Sequence, residues 1–278
     1  MRKKFIRPML AIFLVLFSFY YTNKSIDIVR NIDPIMKQIE SNREKFETKS
    51  TNALIINNTI VPGIKGKKVD KYVSYNKMKK YGVYNESLTT IKEVRPTVSV
   101  NDYYDKYVVQ GNEKIKQVSL LYKIDSLESL NLITNYLTME HIPATLFIED
   151  SILDEVKDKL PELNNYEIEL LFSNDREIDV STSSNYLDSI TGRPNKYCYT
   201  EEENDKLLNI CRKYKMHTII PTFILNKNPT KVVKEKIKNG SIIGVDLTNQ
   251  VEKELDYIVY YIKSKGYSMV RLDTLLKE

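Results

Sequence analysis

From Gln117 to the C terminus, short stretches that are apolar throughout alternate with longer amphipathic ones, and this restricts the fold more than any other property of the chain. The apolar stretches lie at Val118–Tyr122, Ala144–Ile148, Glu167–Phe172, Thr218–Ile224 and Ser241–Val245, and segments such as LESLNLITNYLTMEH and EENDKLLNICRKYKM between them carry apolar residues at helical spacing. A strand apolar at every position is covered on both faces, and parallel neighbours require a crossover helix, so the pattern predicts an α/β fold around a buried parallel sheet. Whether such a sheet closes into a barrel or stays open and doubly wound, side chains that do chemistry stand at the carboxyl ends of its strands. The end of the first strand, YKID at 122–125, is therefore the first place to look for a site.

The chain of 278 residues is long enough for a medium domain and a small second one, and 42% hydrophobic with 28% charged residues excludes the disordered class. Lys/Arg and Asp/Glu are interleaved almost everywhere behind the net charge of +5, which predicts a solvated mixed surface rather than a nucleic-acid partner.

The N terminus is the exception to that mixing. In MRKKFIRPMLAIFLVLFSFYYTNKS, Arg2, Lys3, Lys4 and Arg7 precede an uncharged run from Pro8 to Asn23. This is the pattern of a secretion signal or of a single membrane span. No small-residue cleavage site follows, and Phe19, Tyr20 and Tyr21 suit a membrane interface, so an uncleaved signal anchor over residues 1–24 is expected, with a cleaved signal as the alternative. This places the chain in the cell membrane as a single-pass protein with its globular part extracytoplasmic. No Cys follows the run for lipid attachment.

Residues 25–50 read as a helical stalk, with Ile28, Ile32, Ile35, Met36 and Ile39 at helical spacing and a break at Pro34. Residues 51–112 read as a small mixed α/β module, a spacer or docking element without recognisable chemistry. Tyr75, Met78 and Tyr81 lie on one helical face before the stop at Gly82, and strands are expected near Leu88–Val94 and Lys106–Val109. The remainder, 113–278, is the α/β domain. The spacing of Cys198 and Cys211 permits one disulfide but puts them on a strand end and in the middle of the next helix, which seldom face each other. With only His141 and His217 as histidines, both read as structural or surface residues, the two cysteines lack partners for zinc.

The succession QVSLLYKID, LTMEHIPATLFIE, NYEIELLF, NGSIIGVDL and SKGYSMVRLDTLL resembles the polysaccharide deacetylase family, the NodB-homology domain, over about residues 117–276 and in the same order. The resemblance implies a distorted (β/α)7 barrel. It also implies a mechanism in which one Asp and two His hold a divalent metal, a second Asp takes a proton from water and a late His protonates the leaving amine. Carried over by position, the base Asp falls on Lys123, the metal Asp on Ile124, the two metal His on Leu171 and Asp175, the family Arg near Tyr199 and the late His on Asp246.

Ile and Leu have no lone pair for a metal, and an ammonium at the base position repels a divalent cation. No metal cofactor is therefore expected, and Lys123 is expected to stand in for the metal's charge by pairing with Asp175, Asp246 or both. Shifting the alignment by one residue brings only Asp125 into play. Asp175, Asp179, Glu167 and Glu169 offer an oxygen-only cation site, against their reading as exposed loop and rim charges. Tyr197, Tyr199 and Thr200 fall where a substrate groove would pass, and Thr200 also reads as a helix cap before the acids that follow it. Lys123, Asp175, Tyr197, Tyr199 and Asp246 are the candidate ligand-binding residues.

Three functions follow. The first is a membrane-anchored, noncatalytic deacetylase-like protein that binds cell-wall glycan or an envelope protein. The second is an active carbohydrate deacetylase, a zinc-dependent hydrolase of N-acetyl C–N bonds with relocated residues. The third is a structural or assembly protein of the cell envelope.

Overall fold

The computed structural model describes residues 3–173 and 176–278, so Asp175 lies outside the described residues. Along the chain run α1 (Lys3–Ile32), α2 (Pro34–Asn42), β1 (Leu54–Ile56), β2 (Thr59–Val61), β3 (Gly66–Val69), α3 (Lys71–Lys79), β4 (Ile91–Val94) and β5 (Tyr107–Val108). They are followed by β6 (Gln117–Ile124), α4 (Leu127–Met139), β7 (Thr145–Glu149), α5 (Leu153–Val156), β8 (Glu167–Leu171), α6 (Glu177–Thr191), β9 (Tyr197–Tyr199) and α7 (Asp205–Lys213). The chain ends with β10 (His217–Ile219), β11 (Phe223–Leu225), α8 (Pro229–Lys236), β12 (Ile242–Asp246), α9 (Asn249–Ser264), β13 (Ser268–Met269) and α10 (Leu272–Leu275).

The chain divides into two units, one of Met1–Ser50 with Lys65–Val94 and one of Thr51–Ile64 with Arg95–Glu278. In the first, Pro34 starts α2 and Asp33 caps it by accepting the Ile35 N–H, which separates α2 from α1. Ile35, Met36 and Ile39 pack on Val69, Tyr75 and Met78, so the stretch expected to be a bare stalk is half buried by its neighbours β3 and α3. Tyr81, expected on the same face as Tyr75 and Met78, is exposed, because α3 stops at Lys79 and Gly82 turns the chain with φ of +69°.

The 51–112 module is not one body. Residues 65–94 belong to the first unit, as a β3–β4 hairpin with α3, whereas 51–64 and 95–112 belong to the second. The cause is backbone pairing: β2 and β10 both run parallel to β5, giving a five-stranded sheet in the order β1-β2-β5-β10-β9.

In the second unit the strands β6 to β12 are joined by helices, as the sequence pattern and the family resemblance predict, except that β10 runs into β11 through residues 220–222. Parallel ladders connect β11-β12-β6-β7-β8, with β13 added to β6, and a separate ladder connects β9 and β10. Alternate residues of β6 serve two cores. Val118, Leu120, Tyr122 and Ile124 pack against α4 and α9, while Leu121 faces the interior with Phe147, Tyr197, Tyr199, Ile219 and Ile242. The C-terminal segment fills that interior with Leu272, Leu275 and Leu276. Gly111 is required there, since a Cβ on it would stand 2.6 Å from Leu275 Cγ.

Among the described residues no backbone ladder joins β8 to β9, and a buried acid bridges them instead. The Glu169 carboxylate accepts the Lys196 and Tyr197 N–H groups at 2.6 and 3.0 Å, while the Asn195 amide oxygen accepts the Leu170 N–H at 3.0 Å. Glu167, at the start of β8, accepts from Thr145 Oγ1 at 2.8 Å and from the Asp273 N–H at 3.1 Å, fastening the C-terminal segment. Both acids are thus buried structural links, neither rim charges nor an open cation site. Burial, and secondarily the neighbouring Asp273 charge, pushes the Glu167 pKa up to about 7. Burial and Glu167 raise that of Glu169 as well.

Cys198 and Cys211 form a disulfide with Cα atoms 6.5 Å apart, because α7 folds back onto β9 and turns the middle of its buried face, Leu207 to Cys211, toward the strand. This settles the alternative that spacing left open.

Two outcomes are expected. Serine at both 198 and 211 lowers the unfolding free energy in urea by about 2–3 kcal/mol, the loop-closure value for a ring of this size, and reductant reproduces the loss in the native protein. The native fold keeps a proton on Glu167 that the unfolded chain has released between about pH 4.5 and 7, so stability falls as pH rises through that window. Glu167→Gln is expected to remove about 2–3 kcal/mol of that fall in urea titrations from pH 4.5 to 8.

Candidate functional site

The parallel register of β6 and β12 sets Lys123 beside Asp246 at the carboxyl ends of both strands. Lys123 Nζ lies 2.6 Å from Asp246 Oδ1, and Glu201, two residues past β9, reaches the same ammonium at 2.5 Å. Lys123 and Asp246 are partly buried, with side chains 22% and 24% exposed, whereas Glu201 is 52% exposed. Burial works to lower the Lys123 pKa, but its two carboxylate partners outweigh it and hold the ammonium above its ordinary value. One cation between two carboxylates leaves this mouth with a formal charge of −1.

Below the ammonium lies Tyr199, its ring centroid 5.8 Å from Lys123 Nζ and 5.3 Å from the Phe147 ring. Gly244 on β12 makes room for it, since a Cβ there would stand 2.7 Å from the Tyr199 hydroxyl. Tyr199 thus closes the barrel interior beneath Lys123. Tyr197 lies in the same core, and at 6% and 4% exposure neither it nor Tyr199 has much surface to offer a ligand.

The other expected positions separate. Ile124 is fully buried on the opposite face of β6, among residues that pack on the helices. Leu171 packs against the interior apolar cluster. Asp125 accepts from Ser126 and Ser129 Oγ at the start of α4, and Asp179 pairs with Arg176 at 2.7 Å, so neither stands at the mouth as a free ligand. The residues at the family's metal positions therefore do not fit a zinc ion. An ammonium occupies the space beside Asp246, and the apolar positions turn into cores. Among the described residues no group of three or more His, Cys, Asp or Glu is arranged to hold a metal.

Thr200 does not cap a helix. Its hydroxyl donates to the Glu202 carbonyl, and Asn204 caps α7 by accepting the Leu207 N–H, which frees Glu201 to fold over the mouth. Glu201 is the member of the trio that sequence reasoning missed. Its signal was the run of three acids after a strand, which reads equally as helix-start charge. His217 is buried against Tyr104, with ring centroids 4.3 Å apart, and burial lowers its pKa to about 4. It is a buried, neutral side chain packed between Tyr104 and Tyr197.

No protein-family profile matches the chain. The sequence is 22% identical over 286 residues to the uncharacterized protein YlxY of Bacillus subtilis, covering 91% of this chain and 87% of that protein. The structure superposes on BA3943 of Bacillus anthracis, described as a CE4 family pseudoenzyme, with a TM-score of 0.68 and 22% identity, covering 88% of this chain and 96% of that one. A mutant of that protein described as having restored enzymatic activity superposes equally well. A family 4 carbohydrate esterase from Bacillus anthracis aligns with a TM-score of 0.51 and 17% identity over 61% of this chain and 86% of its own. The chain has the fold of the family 4 carbohydrate esterases, the polysaccharide deacetylases.

Proposed function

We propose that the protein is a membrane-anchored, extracytoplasmic deacetylase-like protein that does not hydrolyse N-acetyl groups and whose barrel mouth binds cell-wall glycan. One observation carries this reading: the ion trio Lys123–Asp246–Glu201 stands at the strand ends where the family resemblance puts the base, the metal and the late acid. A charge-neutralising side chain is already in place there, so water has neither a Lewis acid nor a free base to activate it. The likeness to a protein described as a pseudoenzyme of this family supports the same reading.

The mouth retains what a carbohydrate ligand needs. Glu201 is accessible as an acceptor, Lys123 as a donor, and the pair Lys123–Asp246 fixes their geometry. Asp175 is the remaining candidate contact. Anchoring is supported by α1, whose span Ile12–Ile32 is long and apolar enough to cross a bilayer, and by the exposure of its apolar side chains. The buried disulfide supports an oxidising compartment outside the cytoplasm.

Purified full-length protein is expected to carry no stoichiometric zinc by elemental analysis and to release no acetate from N-acetylated peptidoglycan, while retaining that glycan in a pull-down. Bound zinc together with acetate release would return the active-deacetylase reading. Lys123→Met leaves two carboxylates facing each other and is expected to cost about 1–2 kcal/mol of stability, a value reduced by the partial exposure of the trio. Pairing it with Asp246→Asn should recover part of that loss, which a double-mutant cycle in urea measures directly.

A further inference from the structure

The two units differ in charge, and because residues 51–64 carry none the difference already runs along the sequence. In the N-terminal unit beyond the apolar run, residues 24–50 and 65–94 hold 14 Lys and Arg against 8 Asp and Glu. The other unit, residues 51–64 and 95–278, holds 24 against 29. The basic excess therefore lies in the unit that contains the apolar helix α1.

Within that unit an open groove of about 820 Å3 runs along α1 and is bounded at α3 by Tyr75 and Asn76. One end is apolar, lined by Leu14, Phe17 and Tyr21, while Arg30 and Asn76 stand at the other. From Leu14 to Arg30 the helix rises about 24 Å, enough to lead from the hydrocarbon layer through the headgroup region. Arg30 stacks over Tyr72, its guanidinium carbon 5.6 Å from the ring centroid, and has only a loose ion pair with Asp27 at 3.9 Å. Nearby in sequence, Tyr72, Tyr81 and Val83 are exposed among Lys71, Lys77, Lys79 and Lys80, a composition suited to a membrane interface.

We propose that this groove is a lipid site: an acyl chain of an anionic phospholipid of the anchoring bilayer lies along Phe17, Tyr21, Ile26 and Val29, with its phosphate at Arg30 and Asn76. The inference rests on the membrane-anchored reading above. Two features of the groove select this occupant. A second copy of α1 in the same membrane orientation would bring Lys24 and Arg30 against their own copies, which like-charge repulsion disfavours. A soluble polyanion would meet the basic end but leave the apolar wall uncovered, whereas a phospholipid satisfies both.

The test reconstitutes the full chain in vesicles of phosphatidylcholine and phosphatidylglycerol, with the acyl chains of one lipid brominated at a time, and follows quenching of tyrosine fluorescence, which is unobscured because the chain has no Trp. Phosphatidylglycerol is expected to associate about five-fold more strongly than phosphatidylcholine, the increment for one basic group at a membrane surface. Arg30→Gln should bring that ratio to near unity, and Asn76→Phe, which fills the groove from an exposed position, should reduce quenching by both lipids. Equal quenching by the two lipids in the native protein, or a ratio unchanged by Arg30→Gln, overturns the proposal while leaving the anchor intact. Efficient disulfide dimerisation of Ser25→Cys in the vesicles would assign the groove to a second copy and also overturn it. Binding of soluble polyglycerol phosphate without any lipid preference would give the basic surface to a wall polymer instead. Failure of the protein to float with pure phosphatidylcholine vesicles overturns the anchored reading itself and the lipid site with it.

Discussion

The parallel ladder between β6 and β12 fixes everything that follows at the mouth of the barrel. It sets Lys123 and Asp246 side by side at the last register position, where a separated ammonium and carboxylate would each face a partly desolvated surface. Pairing offsets part of both penalties, and Glu201 brings a second carboxylate from the loop after β9.

Buried acids show the same economy elsewhere in the barrel. β8 and β9 share no backbone ladder, so the N–H groups at the start of β9 would lack acceptors, and Glu169 supplies them. Glu167 does likewise for the C-terminal segment that closes the interior. Carboxyl groups used in this way sit in a low-dielectric setting and hold their protons more tightly than exposed ones. Their function is to complete the backbone hydrogen bonding of an interrupted sheet, and the −1 charge at the mouth is a separate feature made by different residues.

Much of this fold was legible in the sequence. Side-chain periodicity is a local property, so the apolar runs located β6, β7, β8 and β12, and the ordered motifs around them implied the deacetylase barrel. That Ile124 and Leu171 bring no lone pair to a metal was equally legible, since it holds in any fold. Where single residues had to be split between two short strands, as over Thr218 to Ile224, the pattern gave one element in place of β10 and β11. The broken reading of residues 51–112 has the same origin: β2 and β5 owe their place to ladders with distant strands, which composition does not reveal.

The sequence by itself determined that the chain begins with an apolar, positively flanked segment, that an α/β fold of the deacetylase type follows, and that Lys123, Ile124 and Leu171 stand where the family resemblance puts an Asp pair and a His. Only the tertiary structure decided which acids Lys123 meets, that Cys198 faces Cys211, and that Glu167 and Glu169 are buried links. The reason is physical: periodicity and side-chain chemistry act over a few residues, whereas pairing and burial depend on which distant segments the sheets bring together.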